Sequence, residues 1–306
     1  MTRSGEVAFQ DLQVNGVRLH VAVAGPTSGP LVVLLHGFPE FWYAWRHQLP
    51  PLARAGYRVV APDMRGYDLS DKPVGVEGYK LDLLASDVAE LVRAQGRERA
   101  VVVGHDWGGV VAWQVAASFP NVVAKLVILN APHPKAFRRE LARNPRQRRK
   151  SRYVALFQLP FLPEFLIRRM LPNVAEFFRG TSTRPEGFTD EDAQRYREAL
   201  SRPGALTAMI NYYRALVRFR PVSAFPRIDV STLLIWGEKD VALEPGNTED
   251  LHKWVPNLRV VRLPMASHWV MSDEPVRVTN LLLDFLGAPA STASPAEASG
   301  DNEMLP

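Results

Sequence analysis

The chain has 306 residues, of which 46% are hydrophobic and 23% charged, and a formal net charge of +5. That length accommodates one large core, or a core with an inserted subdomain. There is no cysteine, which excludes disulfides, a thiolate nucleophile and Cys-bound metals. No apolar run approaches the roughly 18 residues of a membrane span, and residues 1–10 lack the apolar segment of a signal peptide. A cytoplasmic location and no membrane partner are therefore expected.

In chain order, residues 7–12 and 17–23 read as two strands joined by Asn15-Gly16, a dipeptide that favours a tight hairpin turn. Short apolar, β-branched runs follow at 31–35, 58–61, 100–103, 126–129, 232–236 and 258–263. Several are apolar at every position, as in parallel strands covered on both faces. Helical patterns lie between them at 82–94, 110–118, 248–255 and 274–286. This alternation predicts an α/β fold with a mostly parallel, doubly wound sheet preceded by an antiparallel pair.

The alternation stops between about 133 and 228, where Arg-rich and aromatic-rich helical segments replace strands. Thr189 before Asp190-Glu191-Asp192 has the form of a helix N-cap with acids in the first turn. The expected organisation is a core of residues 1–132 and 229–287, a helical lid of 133–228, and a disordered Ala/Ser/Pro-rich tail of 288–306. Much of the positive charge lies in Arg138, Arg139, Arg143, Arg146, Arg148, Arg149, Lys150 and Arg152, with Glu140 the only acid among them. The run has no interleaved aromatics, no zinc spacing and no RNA-binding fingerprint. A solvated surface is expected there, and no nucleic-acid partner.

Gly104-His105-Asp106-Trp107-Gly108-Gly109 follows the strand at 100–103 and precedes the helix at 110–118. Strand, sharp turn and helix form the context of a nucleophile elbow. The turn crowds its neighbours, and Gly104 and Gly108 supply the room. The central residue is Asp106. A carboxylate can attack a saturated carbon, opening an epoxide or displacing a halide, and leave an alkyl ester on the enzyme.

Asp240 follows the strand at 232–236, and His268 follows the last strand. Nucleophile, acid and histidine thus fall in α/β-hydrolase order, each beyond the carboxyl end of a different strand, where open α/β sheets place ligands. His36-Gly37-Phe38-Pro39 follows the strand at 31–35. That loop can bring the Phe38 amide beside that of Trp107 as an oxyanion hole. In the helical segment, Leu206, Met209, Ile210, Tyr213 and Val217 recur at helical spacing, which puts Tyr213 on an apolar stripe and displaces Tyr212 from it. A phenol facing an apolar cleft can donate to the alkoxide of an opening epoxide. Phe38, Trp42, Trp107, Phe157 and Trp269 suggest an apolar, partly aromatic pocket, with Trp42, Phe157 and Trp269 as candidates to touch substrate.

From Gly16 to Leu286 the sequence resembles the α/β-hydrolase-fold epoxide hydrolases. His36-Gly37-Phe38-Pro39 resembles their HGxP motif, residues 104–109 their nucleophile segment, and Asp240 and His268 their acid and base. Tyr153 and Tyr213 match the two lid tyrosines that activate the epoxide oxygen. Asp63-Met64-Arg65-Gly66-Tyr67 resembles a structural motif of the fold that often continues with Gly, where this chain has Asp68. The resemblance implies a cis Phe38–Pro39 bond, oxyanion-hole amides from Phe38 and Trp107, a small apolar epoxide and water as reactants, and no cofactor or metal. Monomer and homodimer both remain open.

A haloalkane dehalogenase shares the fold, the Asp nucleophile and often the Trp after it, but commonly carries Asn after His-Gly, where this chain has Phe38. The paired tyrosines also favour the epoxide. A non-catalytic ligand receptor on the same fold is the alternative from another class.

Overall fold

The computed structural model describes residues 6–219 and 225–287; the expected tail at 288–306 lies outside them. Strands β1 (Ala8–Val14) and β2 (Val17–Ala24) form the expected hairpin, with Val14 paired to Val17. Asn15 and Gly16 both take positive φ, 44° and 76°, as a type I′ turn requires. The chain continues through β3 (Leu31–Leu35), α1 (Leu49–Arg54), β4 (Arg58–Pro62), α2 (Leu81–Ala94), β5 (Ala100–His105), α3 (Trp107–Ser118) and β6 (Val123–Leu129). The helical segment then supplies α4 (Pro134–Arg143), α5 (Pro145–Lys150), α6 (Tyr153–Leu156), α7 (Leu162–Met170), α8 (Val174–Thr181), α9 (Asp190–Ser201) and α10 (Ala205–Arg218). β7 (Thr232–Gly237), β8 (Leu258–Leu263), α11 (Val270–Asp273) and α12 (Pro275–Leu286) close the chain.

Among the described residues, eight strands form one sheet in the order β1-β2-β4-β3-β5-β6-β7-β8. β2 pairs antiparallel with β1 and β4, and every pair from β4 to β8 is parallel. The apolar runs are explained by two covered faces. Val33, Leu35 and Val102 join the core beneath α2 and α3, whereas Val32, Leu34, Val101 and Val103 point oppositely into a second core with Leu49 and Leu52 of α1 and Leu282 of α12. That is the period-2 alternation of a strand expressed in two apolar layers.

Two local expectations are corrected. Residues 248–255 are not an α-helix: they form 3₁₀ turns at Pro245–Thr248 and Leu251–Lys253, because Glu249 is extended and Asp250 takes a positive φ of 56°. The apolar stripe read in α10 holds at Leu206, Met209, Ile210 and Tyr213, all buried, but it is not the helix's only buried face. Tyr212 is as buried as Tyr213, and its hydroxyl donates to the Arg65 carbonyl at 2.6 Å, whereas Val217 is exposed. This helix is covered on both sides along its middle, so periodicity did not separate its faces. Thr189 does cap α9, in a reciprocal capping box with Asp192. Asp68, where the motif commonly carries Gly, takes a positive φ of 32°, and its carboxylate accepts from Arg202 at the end of α9.

Candidate active site

β5 delivers the chain to Asp106 at φ 48° and ψ −118°, and α3 begins at the next residue. A non-glycine residue at such φ is strained and persists only where its surroundings fix it. Here the surroundings are backbone at close range. A Cβ on Gly104 would lie 2.3 Å from the Gly108 carbonyl oxygen, and one on Gly37 would lie 2.4 Å from the Asp106 Cβ. The loop after β3 therefore passes against the elbow itself, with Phe38–Pro39 cis.

That approach puts the Phe38 amide 2.7 Å from Asp106 Oδ1, to which it donates. Asp106 Oδ2 lies 3.5 Å from His268 Nε2. On the other side of the imidazole, His268 Nδ1 meets Asp240 Oδ2 at 2.6 Å. Asp240 is held by three further donors: the amides of Ala242 and Leu243 at 2.7 and 2.9 Å, and Asn130 Nδ2 at 2.7 Å. Asn130 directly follows β6 with a positive φ of 39°, and its Oδ1 accepts from the Gly237 amide at 2.8 Å, which ties the end of β6 to the end of β7.

Burial alone would push the two carboxyls up and the imidazole down. The pairing reverses each shift. Contact with His268 brings Asp106 below the ordinary carboxyl value, helped by the Phe38 amide. His268 and Asn130 do the same for Asp240. Asp240 and Asp106 together hold His268 well above the ordinary histidine value.

Tyr153 and Tyr213 arrive from α6 and α10 with rings 5.7 Å apart. Burial pushes both phenols up, and the Asp106 charge adds to it, so both are protonated donors at neutral pH. Tyr213 packs edge-on against Trp107, Phe38 and Phe157 at 4.9, 5.5 and 4.9 Å. One guanidinium fastens this group: Arg214 donates to the carbonyls of Phe157 and Leu159 at 3.0 and 2.7 Å and pairs with Glu164 at 2.7 Å.

The remaining candidates lie elsewhere. Trp269 packs behind the histidine, 5.0 Å from His268 and 4.8 Å from Phe178, with its indole donating to Thr181 at 2.9 Å. The Trp42 ring packs on Phe9, Phe41 and Tyr43, and none of its ring contacts is to the Phe38–Tyr213 group. The amide of Trp107 sits at the first residue of α3.

Sequence reasoning missed Asn130 and a buried pair behind the histidine. His105 Nδ1 lies 2.8 Å from Glu40 Oε2, and its Nε2 donates to the His268 carbonyl at 2.9 Å. Position after the strand at 126–129 was the only available signal for Asn130. His36 is structural: its Nε2 accepts from the Met64 amide at 2.9 Å, and burial lowers it to about 4. No cluster of His, Cys, Asp and Glu suited to a metal occurs among the described residues.

Residues 30–275 match the family model described as the alpha/beta hydrolase fold. The chain is 45% identical to the AB hydrolase superfamily protein YfhM of Bacillus subtilis, over 92% of this chain and 98% of that protein. It is 39% identical to Epoxide hydrolase 3 of Xenopus tropicalis, over 92% of this chain and 78% of the relative. The crystal structure of the Bacillus megaterium epoxide hydrolase in complex with an inhibitor superposes with a TM-score of 0.80 at 34% identity, covering 90% of this chain and 99% of the other. An elbow carboxylate backed by histidine and acid, on this sheet and among these relatives, places the chain in the α/β-hydrolase fold family, within its epoxide hydrolase group.

Proposed function

We propose that the protein hydrolyses an apolar epoxide to a vicinal diol through an ester on Asp106. The observation that carries this reading is the Asp106 carboxylate at the elbow, with the Phe38 amide 2.7 Å from one oxygen and His268 Nε2 3.5 Å from the other. In the first step Asp106 attacks an epoxide carbon. The carbon–oxygen bond breaks, and the ring oxygen takes a proton from Tyr153 or Tyr213, the two neutral phenols of the site. In the second step His268, oriented by Asp240, removes a proton from water, and the hydroxide adds to the ester carbonyl of Asp106. The amides of Phe38 and Trp107 stabilise the tetrahedral oxyanion. Collapse expels the diol and regenerates the carboxylate with one oxygen from water, and the proton held by His268 returns to the tyrosinate left by the first step. The helices from α4 to α10 act as the lid that carries the phenols, and Phe157 lines the apolar side of the pocket.

The test is diol formation from a panel of aromatic and aliphatic epoxides by wild type and Asp106→Ala, with a single turnover in ¹⁸O-water. Diol from wild type alone, with the label retained first on Asp106, is the expected result. Label appearing directly in the first-turnover diol would rule out the ester. Absence of diol from every epoxide, with halide released from haloalkanes, would move the reaction to dehalogenation.

A further inference from the structure

Large apolar side chains are exposed together in one stretch of the helical segment: Leu159, Phe161, Leu162, Phe165, Leu166 and Met170, all between the end of α6 and the end of α7. Leu216 and Val217 add to them at the end of α10, the helix on which α7 packs. Scattered exposed leucines need no explanation, but a contiguous apolar patch does. Phe161 is the sharpest case. It is 85% exposed and sits at φ 62°, between Pro160 and the Leu162-Pro163 start of α7. A bulky residue at positive φ is unfavourable, and here the strain presents a phenyl ring to water.

The charge along the chain leading into the patch is almost all positive. From Pro145 to Met170 the only acid is Glu164, and it is taken by Arg214. Arg168 and Arg218 line the same cleft as Phe161 and Phe165, and the Arg169 guanidinium lies over the Phe165 ring at 5.8 Å. Arg146, Arg149, Arg152, Arg168 and Arg218 are exposed and form no ion pair among the described residues. The basic run that a solvated surface was expected to account for thus leads along the chain into an apolar patch. Aromatic and leucine side chains rimmed by arginine suit the boundary of an anionic lipid surface. A second copy of the chain suits it poorly, because a twofold interface would set the same unpaired arginines against themselves.

We propose that the outer face of α7, with Phe161 and Phe165 as its apolar anchors and Arg168, Arg169 and Arg218 as its charges, docks peripherally on anionic phospholipid membranes. This is a surface contact and needs no spanning segment; no helix of the described residues is long and apolar enough to cross a membrane. The expectation of no membrane partner rested on span length and did not address such a contact. The proposal is independent of the reaction, since binding is read without turnover.

The test is co-sedimentation of the full chain with phosphatidylcholine vesicles, with and without roughly one third phosphatidylglycerol. Wild type is expected to bind the anionic vesicles, to lose binding as salt is raised, and to bind pure phosphatidylcholine weakly. Arg168→Gln with Arg169→Gln should weaken binding about thirtyfold, and Phe161→Ser with Phe165→Ser at least as much. Both double variants should keep the wild-type melting curve and the wild-type turnover of a soluble substrate. Failure of wild type to bind anionic vesicles would overturn the proposal, as would binding that neither double variant weakens. A wild-type dimer that Phe161→Ser with Phe165→Ser dissociates, without vesicle binding, would assign the face to a second copy instead.

Discussion

Asn130 and Asp240 come from different strand ends and meet at 2.7 Å on the same carboxylate oxygen that receives His268. The contact fixes which way the Asp240 carboxylate turns, and so where the imidazole points. Asn130→Ala removes a donor from a buried carboxylate, a loss of about 1–3 kcal/mol in stability. In the proposed two-step mechanism turnover should also fall, by roughly tenfold, with KM falling alongside it and kcat/KM little changed, because the affected group acts in hydrolysis of the ester. Steady-state kinetics alongside urea unfolding of the variant check both parts.

The triad makes stability depend on pH in a defined window. Unfolded, its carboxyls would titrate near 3.8 and its imidazole near 6.5; folded, Asp106 and Asp240 lie lower and His268 higher. The carboxylates contribute stability that is fully present above their unfolded value and lost as pH falls through their folded values. His268 contributes stability that is fully present below its unfolded value and lost as pH rises through its folded value. Asp240→Asn should therefore cost most between about pH 4 and 6.5, with the gap to wild type narrowing on either side. Urea unfolding of both proteins across a pH series measures it; a gap that widens steadily above neutrality would contradict the assignment.

The same pairing predicts that the two chemical steps differ in pH dependence. In the proposed mechanism, forming the ester removes the Asp106 charge, one of the two that raise His268. The imidazole should then lose its proton at lower pH in the intermediate than in the free enzyme. Rapid-quench measurement of ester decay should give a pH midpoint below the His268 pKa of the free protein, which NMR of the imidazole reports.

Tyr153→Phe and Tyr213→Phe each remove one phenol and leave the ring packing in place. Each is expected to slow ester formation about a hundredfold, with ester decay unchanged. Single-turnover fluorescence separates the two rates, and equal slowing of both would remove the tyrosines from the first step.

Gly37→Ala tests the approach of the β3 loop to the elbow. Its Cβ would lie 2.4 Å from the Asp106 Cβ, so loop or elbow must shift. A displacement near 1 Å costs about a hundredfold in rate, and an alanine enzyme of wild-type turnover would show the contact to be unimportant.

How much of this was legible depended on whether a residue's role is local. The sheet, the hairpin at Asn15-Gly16, the elbow and the ends of β7 and β8 follow from strand runs and turn residues, and Asp106, Asp240 and His268 could be located by position alone. Asn130 and the Glu40–His105 pair could not. Their partners lie 110 and 65 residues away, and nothing near them in sequence marks the contact. The displacement of Tyr212 from the α10 stripe failed for a related reason: its hydroxyl meets the Arg65 carbonyl on a distant loop, which helical periodicity cannot see. Residues 248–255 looked helical by composition, and one backbone torsion at Asp250 decided otherwise.

Arg214 gives the helical segment a mechanical property. Because it holds the carbonyls that follow Tyr153 while standing beside Tyr213 on α10, and because Gln158 donates to the Tyr213 carbonyl at 3.2 Å, the two phenols ride on one clamped block. So clamped, the two phenols keep their spacing. A bound oxygen would meet both donors or neither, and loosening the clamp with Arg214→Ala should blur that all-or-none engagement into two separately wandering rings.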